Sequence, residues 1–430
     1  MIDNYIKPYK VFRDMRRNLL KKTSELEVLQ WNKFKILLEH AYGKVSFYRD
    51  LLNSAGTRPE DIKSYDDIHK IPTITKLQLR NNRKDIIAKN INLESCVEYK
   101  TSGSTGNTLS GYLTKDDALY VRGSYERVRN ENGFRMFQDS LLIMGGPHTI
   151  PSPNDKTWYQ YFGIRRIEGL NIFEPLDIQI MILKKAKPDA LWGFPSAIKL
   201  LAKAIEEEKI SGISPRLIFT NAEVLDFETR NFINSVFNNQ IVDVYGSWET
   251  CCMAWECSEH AGYHINMDTA LVEVIDENGR KVKAGQKGKV VVTNLHSFAM
   301  PIIRYEIGDF AVPTYKECPC GRGGYLLKTI EGRYDDFIKL RGNKVISPPV
   351  FWSIMKSIPE VSQFQIVQEA LDKVAVYVVK IKEFIDINLL EQIEKEFKNI
   401  LGKDVFLDIR VVEKIPRAQS GKLRSVISKV

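Results

Sequence analysis

The sequence predicts an α/β protein in two parts: a large multi-sheet N-terminal domain with helices, and a small α+β C-terminal domain. Three observations lead to this. The chain has 430 residues, more than one hydrophobic core usually serves. Between about residues 140 and 300, short apolar or β-branched runs alternate with helical stretches; the runs are Ser140 to Met144, Leu217 to Thr220, Ile241 to Tyr245 and Lys289 to Thr293. After Gly332 a shorter pattern follows, with an apolar strand at Val374 to Ile381, a charged amphipathic helix at Leu389 to Leu401 and a strand at Val405 to Val412. The boundary is placed between residues 333 and 334.

The earlier elements follow the same logic. Residues 1–95 read as mainly helical, with Trp31, Phe34, Leu37 and Leu38 at helix spacing and a proline-marked connection at Ile71-Pro72-Thr73. With 43% apolar and 27% charged residues the chain has surface enough for cores and too little net charge to stay unfolded. Met1 to Tyr9 lacks an apolar signal core, and no stretch is long enough to cross a bilayer, so a cytoplasmic protein is expected. The net charge of +8 suits anionic ligands such as nucleotides. Much of it lies in Lys7, Lys10, Arg13, Arg16, Arg17, Lys21 and Lys22, read as the solvated face of a first helix; peripheral membrane contact is that face's second reading. No segment argues for nucleic-acid recognition. Six cysteines without a secretory signal point to thiols or a metal site, with Cys96 read as core and Cys251 and Cys252 as packing residues.

The densest cluster of glycines and hydroxyls is Thr101-Ser102-Gly103-Ser104-Thr105-Gly106, after a strand-like approach at Val97 to Tyr99. Glycines let backbone N–H groups turn toward an anion, and hydroxyls add donors without fixed charge, so the loop reads as a phosphate cradle. No lysine follows Gly106, and the glycine spacing does not suit a dinucleotide fold.

This loop resembles the Thr-Ser-Gly-Ser-Thr-Gly motif of the adenylate-forming enzymes, the superfamily of acyl-CoA synthetases, luciferases and nonribosomal adenylation domains. Four further stretches match in order. These are Tyr245-Gly246-Ser247-Trp248-Glu249, Arg304-Tyr305-Glu306-Ile307-Gly308-Asp309, a hinge-like Gly332-Arg333-Tyr334-Asp335-Asp336-Phe337-Ile338-Lys339, and Pro416-Arg417-Ala418-Gln419-Ser420-Gly421-Lys422. His40 to Tyr48, Ile71-Pro72 with Lys76, and Cys318-Pro319-Cys320-Gly321-Arg322 look most like the phenylacetate–CoA ligase group and its relatives in capsular-polysaccharide gene clusters.

The resemblance implies a C-terminal domain that acts as a mobile lid, swivelling about Asp335. It implies that the loop Thr101 to Gly106 holds the phosphates of ATP, with Asn221, Ala222, Glu223, Tyr245 and Gly246 around the adenine. Asp309 would take the ribose hydroxyls, Arg333 would stand near ribose and phosphate, Glu249 would hold Mg²⁺, and Lys422 would reach the carboxylate and α-phosphate. The implied activity is an ATP-dependent ligase that makes an acyl-adenylate and then an acyl-CoA thioester, with coenzyme A as co-substrate. Two alternatives stand beside it: transfer to an amine, hydroxyl or carrier thiol in surface-polysaccharide synthesis, and a non-catalytic scaffold in such a pathway.

Cys257, His264, Cys318 and Cys320 would complete a tetrahedral zinc shell, with His260 as the alternative nitrogen ligand; four protein ligands make such an ion structural. A metal-free cluster of reduced thiols is the competing reading. For the acid, Gly145-Gly146-Pro147, Trp192-Gly193-Phe194-Pro195-Ser196 and the Tyr245 strand suggest an aryl or arylacetic acid, with Trp248 reshaping the pocket.

Overall fold

Apolar residues spaced for a helix open the chain. The helices are α1 (Asp3–Asn18), α2 (Thr23–Lys44), α3 (Ser46–Ser54) and α4 (Lys76–Asn81). On α2, Phe34, Leu37, Leu38 and Ala41 fall on one face and are buried. α4 begins in a capping box: Thr75 Oγ1 accepts from the Gln78 N–H, and the Gln78 side chain accepts from the Thr75 N–H. The computed structural model describes residues 3–100, 110–147, 150–151, 166–333, 337–343, 345–346, 348–356, 358, 360–380, 387–402, 404–418 and 421–430.

Strands β1 (Val97–Lys100) and β2 (Ser110–Leu113) pair antiparallel and lead into α5 (Lys115–Glu131). The alternating region then delivers β3 (Leu141–Gly145), β4 (Ile167–Asn171), α6 (Leu176–Ala186), β5 (Ala190–Gly193), α7 (Pro195–Glu207), β6 (Leu217–Asn221), α8 (Phe227–Phe237) and β7 (Ile241–Ser247). Neighbours in the order β4-β3-β5-β6-β7 all run parallel. The chain then turns antiparallel through β8 (Cys251–Glu256), β9 (Tyr263–Ile265), β10 (Ala270–Ile275), β11 (Gly288–Asn294), β12 (Tyr305–Thr314) and β13 (Leu326–Arg333). The result is one eleven-stranded sheet ordered β10-β11-β12-β13-β9-β8-β7-β6-β5-β3-β4. Helices α6, α7 and α8 bury Ile180, Leu183, Ile198, Leu201 and Ile233 with the parallel strands. The carboxyl ends of those strands share one edge, where open α/β sheets bind their ligands.

The chain divides into two units. Met1–Ile307 with Ala311–Ile330 forms the first; Gly308–Phe310 with Glu331–Val430 forms the second. The second unit holds β14 (Ile338–Lys339), β15 (Val345–Ile346), α9 (Pro348–Lys356), β16 (Val361–Ala370), β17 (Lys373–Lys380), α10 (Ile387–Leu401), β18 (Phe406–Val411) and β19 (Val426–Ser428). Its four-stranded sheet, ordered β18-β17-β16-β19, shares a core with the helices built on Phe351, Ile366, Val376, Ile393 and Phe397. This is the α+β arrangement expected from the sequence.

One local expectation is corrected. Cys96 is partly exposed rather than core, because it follows a surface turn capped by the Asn92 side chain. The basic face of α1 is exposed as expected at Lys7, Lys10, Arg16 and Arg17, with Lys7 pairing at the surface with Asp116 of α5 at 2.6 Å and Arg16 with Glu131 at 2.7 Å. Among the described residues no helix is long and apolar enough to cross a membrane.

Candidate functional site

The centre of the shared edge is the end of β7. After Tyr245-Gly246-Ser247 the chain reverses through Trp248 and Glu249 into β8, which pairs Ser247 with Cys251 across a bulge. Ser247 and Thr250 lock the turn, their hydroxyls 2.9 Å apart and the Ser247 hydroxyl accepting from the Thr250 N–H at 3.2 Å. Glu249 is thereby held with 6% exposure, and its carbonyl accepts from Asn294 Nδ2 at 3.3 Å. Tyr245 is packed into the core at the strand end. Trp248 is 50% exposed and does not occupy the space beside Gly246.

The nearest described cation to Glu249 is Lys76, with Nζ 3.8 Å from the carboxylate. Several contacts put it there. Ile74 bonds through its backbone to Arg304 and Glu306 at 2.9 Å each, and the Thr73 hydroxyl donates to the Glu306 carboxylate. Arg304 is the clamp behind this segment. Fully buried and at φ 48°, it pairs with Glu273 at 3.1 Å and donates to the carbonyls of His69, Ile71 and Gly279. The arginine of the Arg304 to Asp309 motif is thus a structural tie, and the Lys76–Glu249 approach is a feature that the sequence did not expose.

On the neighbouring strand end, Asn221-Ala222-Glu223 closes β6. Ala222 takes φ 68°, a left-handed conformation that costs a non-glycine residue about 1–2 kcal/mol. Glu223 accepts from the Ser196 N–H and hydroxyl, both at 3.0 Å, which ties this turn to the start of α7.

Thr101, Ser102, Gly103, Ser104, Thr105, Gly106 and Asp335 lie outside the described residues, as does the Arg333 side chain, whose backbone ends β13. Asp309 is buried on β12, in the stretch that groups with the second unit. Lys422 also belongs to the second unit and follows a tight turn: the Gly421 N–H donates to the Ala418 carbonyl at 2.7 Å, the Ala418 N–H to the Lys422 carbonyl at 3.0 Å, and Gly421 takes φ 87°.

A separate cluster forms where β8 and β9 meet the loop between β12 and β13. Cys257, His264, Cys318 and Cys320 offer four ligand atoms, all within 4.8 Å of one another. The Cys257 and Cys318 sulfurs are 3.6 Å apart, and Cys320 Sγ lies 3.3 Å from His264 Nε2. A tetrahedral zinc shell has edges of about 3.8 Å between sulfurs and about 3.6 Å between sulfur and nitrogen, so the residues fit the ion. Burial holds the His264 pKa down at about 4, which keeps the imidazole neutral and able to ligate. His260 is not part of the cluster; its Nδ1 stands 3.6 Å from Glu256. The outside of the knuckle presses on the turn between α1 and α2, with the Gly323 N–H donating to Leu19 and the Gly324 N–H to the Thr23 hydroxyl. A methyl group at Gly323 would fall 2.0 Å from the Lys21 carbonyl oxygen, so glycine is required there.

Residues 338–429 match the family model of the CapK C-terminal domain. The phenylacetate-coenzyme A ligase of Thermus thermophilus is 28% identical, over 94% of this chain and 96% of its own length. Protein CapK of Staphylococcus aureus is 25% identical, over 100% of this chain and 94% of its own. A solved 2-hydroxyisobutyryl-CoA ligase in its postadenylation state superimposes with a TM-score of 0.78 at 22% identity, covering 96% of this chain and 91% of that one, which shows the shared fold. Along nearly its whole length the chain is thus similar to phenylacetate–CoA ligases and to CapK, and it shares the fold of an acyl-CoA ligase.

Proposed function

We propose that this chain is an AMP-forming acid–thiol ligase, which joins a carboxylic acid to the α-phosphate of ATP with loss of pyrophosphate and then passes the acyl group to the thiol of coenzyme A. The observation that carries the reading is the pair of charges at the carboxyl edge of the parallel strands, where Glu249 is held in a locked turn beside Lys76. The relatives named as acid–CoA ligases support the reaction class.

In this reading Tyr245 and the Asn221-Ala222-Glu223 turn bind the adenine, and the loop Thr101 to Gly106 wraps the phosphates. Glu249 would hold Mg²⁺, a hard cation that suits a carboxylate beside triphosphate and would offset charge on the departing pyrophosphate. Lys76 offers an ammonium to the same phosphates from the large unit, and Lys422 brings a second one from the small unit. Asp309 binds the ribose and Arg333 stands by the ribose and phosphate, both ahead of a hinge at Asp335. Two half-reactions at one carbonyl need different neighbours, since pyrophosphate must leave before a thiol can attack, and a moving small unit would provide them. The Cys257, His264, Cys318 and Cys320 cluster holds a structural zinc in this account, because its four ligands leave no open position.

Pyrophosphate release over a panel of carboxylic acids, with and without coenzyme A, tests the reading. Lys422→Ala should lower adenylation by about 10²–10³-fold while largely sparing thioester formation from a supplied acyl-adenylate. Equal loss of both half-reactions would refute that division of labour. Elemental analysis should find one zinc per chain, lost in Cys318→Ser; metal-free wild-type protein of unchanged stability would refute the zinc. The full-length match to CapK leaves open a second reading, transfer to an amine, hydroxyl or carrier thiol in surface-polysaccharide synthesis, which would show as product formation without coenzyme A.

A further inference from the structure

The position between Tyr245 and Glu249 that carries no side chain bears on which acid is used. Tyr245 packs into the core beside α2 and α3, whereas its predecessor Val244 packs with Trp192 and Phe219 on the opposite face of the sheet. Gly246 opens toward that second face. A methyl group there would lie 2.4 Å from the Cys251 carbonyl oxygen and 3.0 Å from the hydroxyl of Tyr125. On the next strand but one, a methyl group at Gly193 would lie 3.0 Å from Met144 Cβ. Both glycines that open the strand ends are therefore backed by side chains.

Tyr125 is held firmly in this place. Its ring meets Trp192 edge-on, with centroids 5.9 Å apart at 77°, and Trp192 lies against Phe219 at 5.3 Å and 26°. The Arg129 guanidinium sits 5.4 Å over the Trp192 ring and pairs with Glu126 at 2.9 Å. Moving Tyr125 aside would break a ring contact in a wall closed behind by a buried cation. The phenol oxygen makes no hydrogen bond among the described residues, and burial pushes its pKa well above the ordinary tyrosine value, so it stays a neutral donor.

We propose that Tyr125 determines acid specificity: it closes the site at Gly246 and selects a short aliphatic acid with a hydroxyl close to its carboxylate, and it excludes the aryl acids expected from the sequence. The proposal rests on the acid-activating reading above, with adenine on the Tyr245 face. An aryl ring would need the volume that the tyrosine ring fills. A hydroxyl on the acid would meet the phenol, and an acid without one would leave that phenol unpaired.

The test measures pyrophosphate release with lactate, propionate, phenylacetate and benzoate for wild type, Tyr125→Phe and Tyr125→Ala, with thermal melts as the folding control. Wild type should prefer lactate to propionate in kcat/KM by about tenfold or more, the worth of one hydrogen bond, and should use both aryl acids less well still. Tyr125→Phe should bring the lactate-to-propionate ratio toward one. Tyr125→Ala should raise phenylacetate relative to lactate by about tenfold or more. A wild type that prefers phenylacetate, or a ratio unchanged in Tyr125→Phe, would overturn the specificity role and leave acid activation standing. Silence from folded wild type and both variants on all four acids would overturn the acid-activating reading and this proposal together.

Discussion

Two buried charge pairs of the large unit differ in ways that separate structure from chemistry. Arg127 and Asp268 are 0% and 3% exposed and meet at 2.8 Å in a two-pronged contact. Around them Arg127 also donates to the Met15 carbonyl, Asn18 donates to Asp268, and Lys33 donates to the Asp268 backbone carbonyl, while Arg127 Nε is buried without a hydrogen-bond partner among the described residues. Lys76 and Glu249 are 33% and 7% exposed and stand 3.8 Å apart. The first pair ties α1, α2 and α5 to the strand edge at Asp268, and its worth lies in the buried two-pronged contact. The second is loose and opens to solvent on one side, so a phosphate or metal ion can enter it at little cost. A buried charge pair held by a short two-pronged contact is a strut; one that is long and half-open is a candidate site.

The largest expected effect tests the strut. Asp268→Ala would leave Arg127 buried without its counter-charge and should destabilise the protein by about 3–5 kcal/mol, read from denaturant unfolding. A loss under about 1 kcal/mol would mean that water relieves the site and that the pair is not the strut described.

Lys76→Met comes next and probes the other half of the comparison. It should lower kcat/KM for adenylation by about 10²-fold and leave unfolding stability within about 0.5 kcal/mol. The reverse outcome, lost stability with catalysis intact per folded molecule, would make Lys76 a second strut and remove the contrast.

The smallest effect concerns protons around the closed pair. His296 stacks on Tyr120 at 3.5 Å, with Nε2 3.0 Å from Lys33 Nζ and 3.2 Å from the Asp268 carbonyl. Burial first, and the Lys33 charge second, hold its pKa at about 3, against an ordinary 6.5. The unfolded chain therefore takes up a proton that the folded protein refuses. Stability present above pH 6.5 is lost as pH falls toward 3, by about 2 kcal/mol between pH 6.5 and pH 5. Unfolding midpoints at the two pH values should converge in His296→Gln relative to wild type. An unchanged pH dependence would show that His296 is not the group that titrates.

Much of the fold was legible because its signals are local. The alternating runs that mark β3, β6, β7 and β11, and the amphipathic pattern of α10, lie within single elements, and each was found to within a few residues. The ends of elements were less secure. Cys96 was misjudged because a surface turn interrupts the apolar pattern around it, and the ion partners of the exposed Lys7 and Arg16, Asp116 and Glu131, were not legible because they lie on another helix.

By itself the sequence determined the α/β alternation, the chain order of the five motifs and the residue types able to hold phosphate, magnesium and zinc. Only the tertiary structure decided which of them meet. Whether His264 or His260 joins Cys257, Cys318 and Cys320 depends on a strand pairing. Arg304 proved to be a clamp on the Ile71 to Ile74 segment because carbonyls from two sequence-distant segments, His69 with Ile71 and Gly279, converge on it. Lys76 reaches Glu249 through that clamp, and Tyr125 backs Gly246 from a helix on the far face of the sheet. Periodicity and propensity act over a turn or two of chain, whereas a site is made where sheet order and helix packing bring sequence-distant side chains within a few ångströms.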